Sequence, residues 1–324
     1  MSGLLLVDKD EGLSSFAVVR RIRATLGGVR AGHAGSLDPF ATGLLPVCVG
    51  RATRLVRFVA AGAKRYRARV CFGQATDTDD GTGQPLGAPA ACPDSSAILR
   101  VLPEFLGEID QIPPRYSAKQ VGGRRAYRLA RAGRPVRLAP SRVRVDELRL
   151  LGYDGKVAEF ACQVGPGTYI RALARDLGER LGGAAHLAAL RRTGVGPFEV
   201  SAAARLDGLP DRDAVTARLL DPLSALREIP RLLVSEEEAG LLGHGRLLPY
   251  RAADERADKA TGPRSEGELR CAVASPHPPA GSADESGLAL IAVVSATPDG
   301  WRPLVVWNAG GRGPHDGPYP GAIQ

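Results

Sequence analysis

Residues 64–73, KRYRARVCFG, alternate with a period of two. Tyr66, Ala68, Val70 and Phe72 share one face, and Arg65, Arg67, Arg69 and Cys71 share the other. That segment is a strand with one face on a core. Other strand signals fall at residues 3–8, at Leu44–Val49, and at 142–151 and 157–164, the last two flanking a turn at Asp154-Gly155. Helical signals lie between them. Ser14 or Ser15 caps a helix to about Leu26, with Val19, Ile22 and Leu26 on one face. Asp94 caps another, with Ile98, Leu99, Leu102 and Phe105 inward. A third runs from about Ala172 to Leu181 on the stripe Leu173, Leu177, Leu181. Strands, helices and hairpin signals intermixed in this way imply an α+β fold with a mixed, mostly antiparallel central sheet and flanking helices.

The chain of 324 residues, 44% of them hydrophobic, has room for a large domain and a small one. The composition shifts near residue 225, which places a first domain at 1–225 and a small β-rich one at 226–308. Residues 111–140 mix Pro, Gly, Tyr and Arg and read as a basic loop-and-short-helix excursion. Arg251 to Ser286 is charged, Pro/Gly/Ser-rich and aperiodic, and reads as a disordered insertion; 309–324 reads as a flexible tail. A short helix near 235–242 and a hairpin of LALIAVVSA and WRPLVVW across Pro298-Asp299-Gly300 build the small domain.

The formal net charge is +8, and only five of the 43 basic residues are lysines. Arginine binds phosphate bidentately and stacks on bases, so the excess suits a nucleic-acid partner; a GC-rich genome is the plainer explanation. Five scattered cysteines without a C-x-x-C argue against a metal site or a disulfide framework, and Cys48, Cys71 and Cys162 read as buried thiols. Leu4-Leu5-Leu6-Val7 is too short for a signal peptide, and no apolar run approaches a membrane span, so a soluble cytoplasmic protein is expected.

Chemistry centres on GHAGSLDPFATG, Gly32 to Gly43. The segment has the period of neither helix nor strand. Pro39 pushes Asp38 out of the helical region, so its carboxylate sits on a stiff corner between small residues. No second carboxylate lies at a useful spacing in the loop, which disfavours an acid/base pair. A lone carboxylate can still act as nucleophile or base if a cation keeps it ionised. The candidate cation lies in GPGTYIR, Gly165 to Arg171; in an extended chain Tyr169 and Arg171 face the same side, in a helix they diverge, and the flanking Gly-Pro-Gly favours the extended chain, which would let both line one pocket. Plainer readings stand beside each residue: Asp38 as a turn residue, His33 as a loop hydrogen-bonder, Tyr66 and Leu190 as core, Tyr169 and Arg171 as a structural pair. TDTDDGTG reads as a turn, and the arginines from Arg124 to Arg134 as an RNA contact or a solvated face.

Five motifs in order resemble the TruB family of bacterial tRNA pseudouridine synthases: LLLVDKDEGLSSF, GHAGSLDPFATGLLPVCVG, KRYRARVCFGQATDTDD, GTYIRALARDLGERLG and LRRTGVGPF. The resemblance spans about residues 3–200 and implies the pseudouridine synthase fold; the C-terminal module resembles that family's small PUA-like RNA-binding domain. It implies that Asp38 is the nucleophile, that Tyr66 stacks under the target base and that Arg171 pairs with Asp38. His33, Tyr169 and Leu190 would line the uridine pocket, and Lys9, Lys119, Arg124, Arg125 and Arg128 would grip RNA. The implied reaction is conversion of the T-loop uridine at tRNA position 55 to pseudouridine by base flipping, with no cofactor and no metal, by a monomer without an obligate protein partner. A tRNA elbow-folding chaperone with catalysis secondary is the alternative, and a guide-RNA-dependent relative acting on ribosomal RNA a third reading. Three features depart from the family pattern. Asp10 stands where it has proline, Pro166 where it often has lysine, and 251–286 has no counterpart; these are expected to weaken RNA affinity rather than catalysis.

Overall fold

The computed structural model describes residues 1–117, 119–121, 123–126, 129, 132, 138–250, 266–274 and 288–307. The chain divides into two compact units, Met1–Leu220 and Asp221–Gln324. The first opens with strand β1 (Gly3–Lys9), helix α1 (Ser15–Thr25), β2 (Ala31–His33), β3 (Thr42–Val49), α2 (Val56–Ala61) and β4 (Lys64–Phe72). A two-stranded ladder, β5 (Ala75–Thr76) with β6 (Pro85–Leu86), precedes α3 (Ser95–Val101) and β7 (Gly107–Gln111). A second ladder joins β8 (Gln120–Val121) to β9 (Arg124–Arg125). Then follow β10 (Ser141–Tyr153), β11 (Val157–Val164), α4 (Ile170–Arg180), β12 (Ala185–Val195), β13 (Phe198–Glu199), β14 (Ala204–Arg205) and α5 (Arg212–Ala217).

Ten of these strands form one sheet in the order β14-β1-β3-β12-β4-β11-β10-β7, with β2 on β3 and β13 on β12. The β1–β14 and β3–β12 pairs are parallel and the rest antiparallel, so the sheet is mixed and mostly antiparallel, as the sequence implies. The alternation of β4 places Tyr66, Ala68, Val70 and Phe72 in a core with Phe160, Leu173, Leu177 and Leu187 beneath α4. A second core beneath α1 holds Leu5, Val7, Val18, Ile22, Leu45 and Val47. Ser14 caps α1 through Ala17 N at 3.1 Å, and Asp94 caps α3 through Ala97 N at 2.7 Å. At the Asp154-Gly155 turn, Asp154 Oδ1 accepts from Val157 N at 2.7 Å, and Gly155 sits at φ +92°.

Several expectations are corrected. Leu99 is exposed, because α3 is less than two turns long and only Ile98 and the following Leu102 and Phe105 reach the core. Gly32 and His33 belong to β2 and Thr42-Gly43 to β3, so the loop proper is 34–41. The eleven-residue β12 was not expected as a strand. Cys71 is half-buried because it lies on the arginine face of β4, while Cys48 and Cys162 are buried.

In the second unit β15 (Arg231–Leu233), α6 (Glu236–Gly243), β16 (Leu269–Ala274), β17 (Ala289–Thr297) and β18 (Gly300–Val306) form a four-stranded sheet in sequence order with one helix. Its core gathers Leu232, Leu242, Leu248, Val294 and Trp301. Ser235 and Glu238 close a capping box on α6. Strand β16 lies inside the stretch read as a disordered insertion. Its apolar LRCAVA run is buried between β15 and β17, which outweighs the polar composition around it. Residues 251–265, 275–287 and the expected tail lie outside the described residues. Among the described residues no helix is long and apolar enough to cross a membrane.

Candidate active site

The loop that carries Asp38 is held from outside at both of its flanking peptides. Ser15 Oγ, at the start of α1, donates to Leu37 O at 3.0 Å and accepts from Leu37 N at 2.8 Å. On the other side Pro39 O accepts from Gly12 N at 2.8 Å and from Lys9 Nζ at 3.2 Å. Asp38 has little freedom left except in its own side chain, so the carboxylate is presented in one place.

Arg171 meets it from the first turn of α4. Its Nε lies 2.9 Å from Asp38 Oδ2 as an ion-pair contact off the N–H direction, while Nη2 donates to Oδ1 at 3.3 Å. The guanidinium also donates to Thr78 O at 3.0 Å and Tyr116 O at 2.9 Å, and approaches Asp80 Oδ2 at 3.4 Å. The guanidinium is 5% exposed whereas the Asp38 side chain is 40% exposed, so the cation is shielded while the carboxylate keeps an open side. The helix begins at Ile170, which corrects the extended reading of 170–171. Tyr169 keeps extended angles as the residue before the helix and still faces the Asp38–Arg171 charges. Gln111 holds it there, its Oε1 accepting from Tyr169 N at 2.9 Å and its Nε2 donating to Tyr169 O at 3.2 Å.

Below the loop lies Arg192, a residue of the LRRTGVGPF motif to which the motif by itself assigns no role. It is 1% exposed. Its Nε donates to Leu44 O at 2.7 Å, Nη2 to Gly35 O at 3.0 Å and Nη1 to Ser36 O at 3.3 Å. No carboxylate among the described residues is ion-paired to it. The β12–β3 register sets Arg192 beside Gly43, whose φ is +102° and where any Cβ would collide with the Arg192 backbone. The β12–β4 register sets the same residue beside Tyr66.

These surroundings set the ionisation. Partial desolvation pushes the Asp38 carboxyl, whose side chain is still 40% exposed, above its ordinary value, against the downward pull of Arg171, with Asp80 adding to the rise and Lys9 opposing it. Arg171 is the cation expected to favour the ionised form, and it does pull in that direction, but desolvation is the larger effect. Burial raises the Tyr66 hydroxyl, with the charge and hydrogen bond of Arg192 opposing. Burial and the Arg192 charge lower His33, so its imidazole is neutral at pH 7; its buried Nδ1 has no partner among the described residues.

Asp38, Tyr66, Tyr169, Arg171 and Leu190 come together on the core side of β4 and β12, and His33 reaches the same region through Arg192. Asp80 was read as a turn residue. It does organise the turn, accepting at Oδ1 from Thr82 Oγ1 at 2.6 Å and Thr78 Oγ1 at 2.8 Å, but its other oxygen backs Arg171. Lys9, expected on RNA, is fully buried with Nζ on the carbonyls of Asp10, Leu13 and Pro39, and burial lowers its pKa to about 8. No donor is left to reach a phosphate. Lys119 is half-buried and donates to Ser141 Oγ at 3.0 Å. Arg124 and Arg125 form β9, and Arg128 lies outside the described residues. Asp10 is engaged by Arg205 at 2.8 Å, which spends its extra charge within the protein. Among the described residues no cluster of three His, Cys, Asp or Glu could hold a metal ion.

Comparison with known proteins gives a consistent picture. Residues 23–170 match the sequence model described as TruB family pseudouridylate synthase (N terminal domain), and 171–228 that described as tRNA pseudouridylate synthase B C-terminal domain. Over 261 residues the chain is 42% identical to the tRNA pseudouridine synthase B of Nitrobacter winogradskyi, covering 78% of this chain and 73% of that protein. It is 44% identical over 249 residues to the protein of that name from Symbiobacterium thermophilum, covering 76% and 82%. Among solved structures, one titled as an H/ACA RNP bound to a substrate RNA containing 2'-deoxyuridine superposes with a TM-score of 0.68 at 22% identity, over 94% of this chain and 84% of that one. At that identity the match shows a shared fold.

Proposed function

The chain belongs to the TruB family of tRNA pseudouridine synthases, and from that premise we propose that Asp38 is the nucleophile acting on the T-loop uridine at position 55. It is an isomerase that converts uridine in tRNA to pseudouridine. The observation that carries the assignment is the Asp38–Arg171 contact at 2.9 Å on a loop clamped at both neighbouring peptides.

The reaction breaks the N1–C1′ bond, turns the uracil and joins C5 to C1′. The C5 proton leaves and N1 gains one, so the product is an isomer, and no electron or external group is exchanged. One ionised carboxylate serves attack at C1′, attack at C6 or removal of the 2′ proton. Arg171 favours that ionised form, Tyr66 retains the detached ring by stacking, and Tyr169, Leu190 and neutral His33 wall the pocket. The target base starts stacked within folded RNA, so it is flipped out at a cost of about a few kcal/mol. The small C-terminal unit grips RNA as a PUA-like domain, and the chain works in the cytoplasm as a monomer without a protein partner.

Mass spectrometry of a T-arm hairpin incubated with the purified chain tests this. Wild type converts one uridine, and Asp38→Ala converts none while binding the hairpin with similar affinity. Product formed by Asp38→Ala at the wild-type rate would remove the nucleophile assignment, and a requirement for a second RNA or protein would remove the stand-alone one. The net charge of +8 also fits an elbow-folding role. Accelerated tRNA folding by Asp38→Ala would place that role beside catalysis.

A further inference from the structure

Between Gly12 and Thr76 the chain carries eleven Lys and Arg but a single carboxylate, Asp38. Part of that imbalance lies on α1. Arg20, Arg21 and Arg23 are exposed, and none is ion-paired among the described residues. Other exposed arginines of the same unit do have partners: Arg67 with Glu159 at 3.3 Å, Arg142 with Glu108 at 3.1 Å, Arg180 with Glu104 at 2.6 Å. Like charges three residues apart on a helix repel. The helix therefore keeps an arrangement that an anion would relieve.

Phe16 completes the face. At 64% exposure it is the most exposed large apolar side chain among the described residues, in a protein that buries most of its Leu, Val and Phe. It follows Ser15, whose hydroxyl clamps Leu37, so the exposed ring is one residue along the helix from the anchor of the Asp38 loop. Phe16, Arg20 and Arg23 are four and three residues apart, hence on one side of the helix over about 10 Å. With Val19, Ala24 and Gly28 they line an open groove. Asp10 before the helix is engaged by Arg205, and no acid lies within the helix.

We propose that this face of α1 is an RNA-binding surface, with Arg20 and Arg23 on phosphates of the strand leading from the flipped uridine and Phe16 stacked on an unpaired base. Arginines interleaved with an exposed aromatic ring suit single-stranded nucleotides, because every base offers a π-face and every linkage a charge. A membrane surface would need a broader apolar face than one ring. The inference rests on tRNA being the substrate and adds a contact outside the catalytic pocket.

Equilibrium binding of a T-arm hairpin and of whole tRNA, measured across a salt series, tests it with wild type, Arg20→Gln/Arg23→Gln and Phe16→Ala. The double variant is expected to raise Kd roughly tenfold and to lower the slope of log Kd against log salt by about one for each arginine. Phe16→Ala is expected to raise Kd roughly fivefold with the slope unchanged. Melting temperatures and single-turnover rates at saturating RNA stay at wild-type values, since these side chains are exposed and away from the carboxylate. An unchanged Kd and slope in the double variant would overturn the proposal. So would wild-type binding to phosphatidylglycerol vesicles that is lost in the double variant while RNA binding is not. Pseudouridine is assayed in the same samples. A wild type that binds but makes none counts against the assigned reaction, whereas a converting wild type and an equally tight double variant remove this surface alone.

Discussion

Asp38 occupies a position that favours chemistry over stability. Its folded-state pKa lies above the unfolded value of 3.8, because partial desolvation of the half-buried carboxyl outweighs Arg171, an effect that its open side keeps small. The folded protein therefore holds the proton more tightly than the unfolded chain. Ionisation costs stability above the folded pKa, and that stability returns as the pH falls through it. Asp38→Asn should accordingly abolish pseudouridine formation while leaving the melting temperature at pH 7 equal to or above that of wild type, by differential scanning calorimetry. A clear fall in melting temperature would contradict the order of these effects. Wild-type turnover should decline in acid with an apparent pKa above 3.8. Arg192 behaves in the opposite way. Arg192→Met leaves the carbonyls of Gly35, Ser36 and Leu44 without their donor, at about 1–3 kcal/mol for each group left unpaired. Denaturant unfolding should show that loss, and single-turnover assays should show a slower chemical step with hairpin affinity retained.

At the scale of elements, β12 is the decisive piece and the one least visible beforehand. AHLAALRRTGV is rich in Ala, Leu and Arg, residues that favour helices, and has no clean alternation because its register shifts between Leu187 and Ala189. Pairing with β4 and β3 overrides that preference. The β4 alternation, the Asp154-Gly155 hairpin and the Ser14 and Asp94 caps were readable, because each depends on neighbours within a few residues. Ala189→Val, on the open face opposite Arg69, should stabilise the strand by up to about 0.5 kcal/mol in denaturant unfolding, since a β-branched side chain suits a pleated surface. Leu190→Ala, in the core with Tyr66 and Leu37, should cost about 2–5 kcal/mol in the same measurement. α4 shows the limit of local reading: Gly-Pro-Gly suggested extended chain through Arg171, yet the helix begins one residue earlier, at Ile170.

For the whole molecule, the net charge of +8 predicts tRNA affinity that falls steeply with ionic strength. A protein making several phosphate contacts loses roughly a thousandfold between about 50 and 200 mM salt, and a flat titration would contradict a backbone grip. The chain divides after Leu220 rather than near 225, because Asp221 caps the turn Pro222–Leu226 that belongs with the second unit. By itself the sequence determined the α+β class, the strand that carries Tyr66, the stiff corner at Asp38 and the five ordered motifs, since each is written in local periodicity, turn chemistry or spacing. Only the tertiary structure decided which charges meet. Asp80 reaches Arg171 across 91 positions, Arg192 reaches Gly35 across 157, and Lys9 turns inward to Pro39 rather than out to solvent. Those contacts follow from strand order and register, which join segments far apart in the chain, and they set the desolvation that moves the pKa of Asp38.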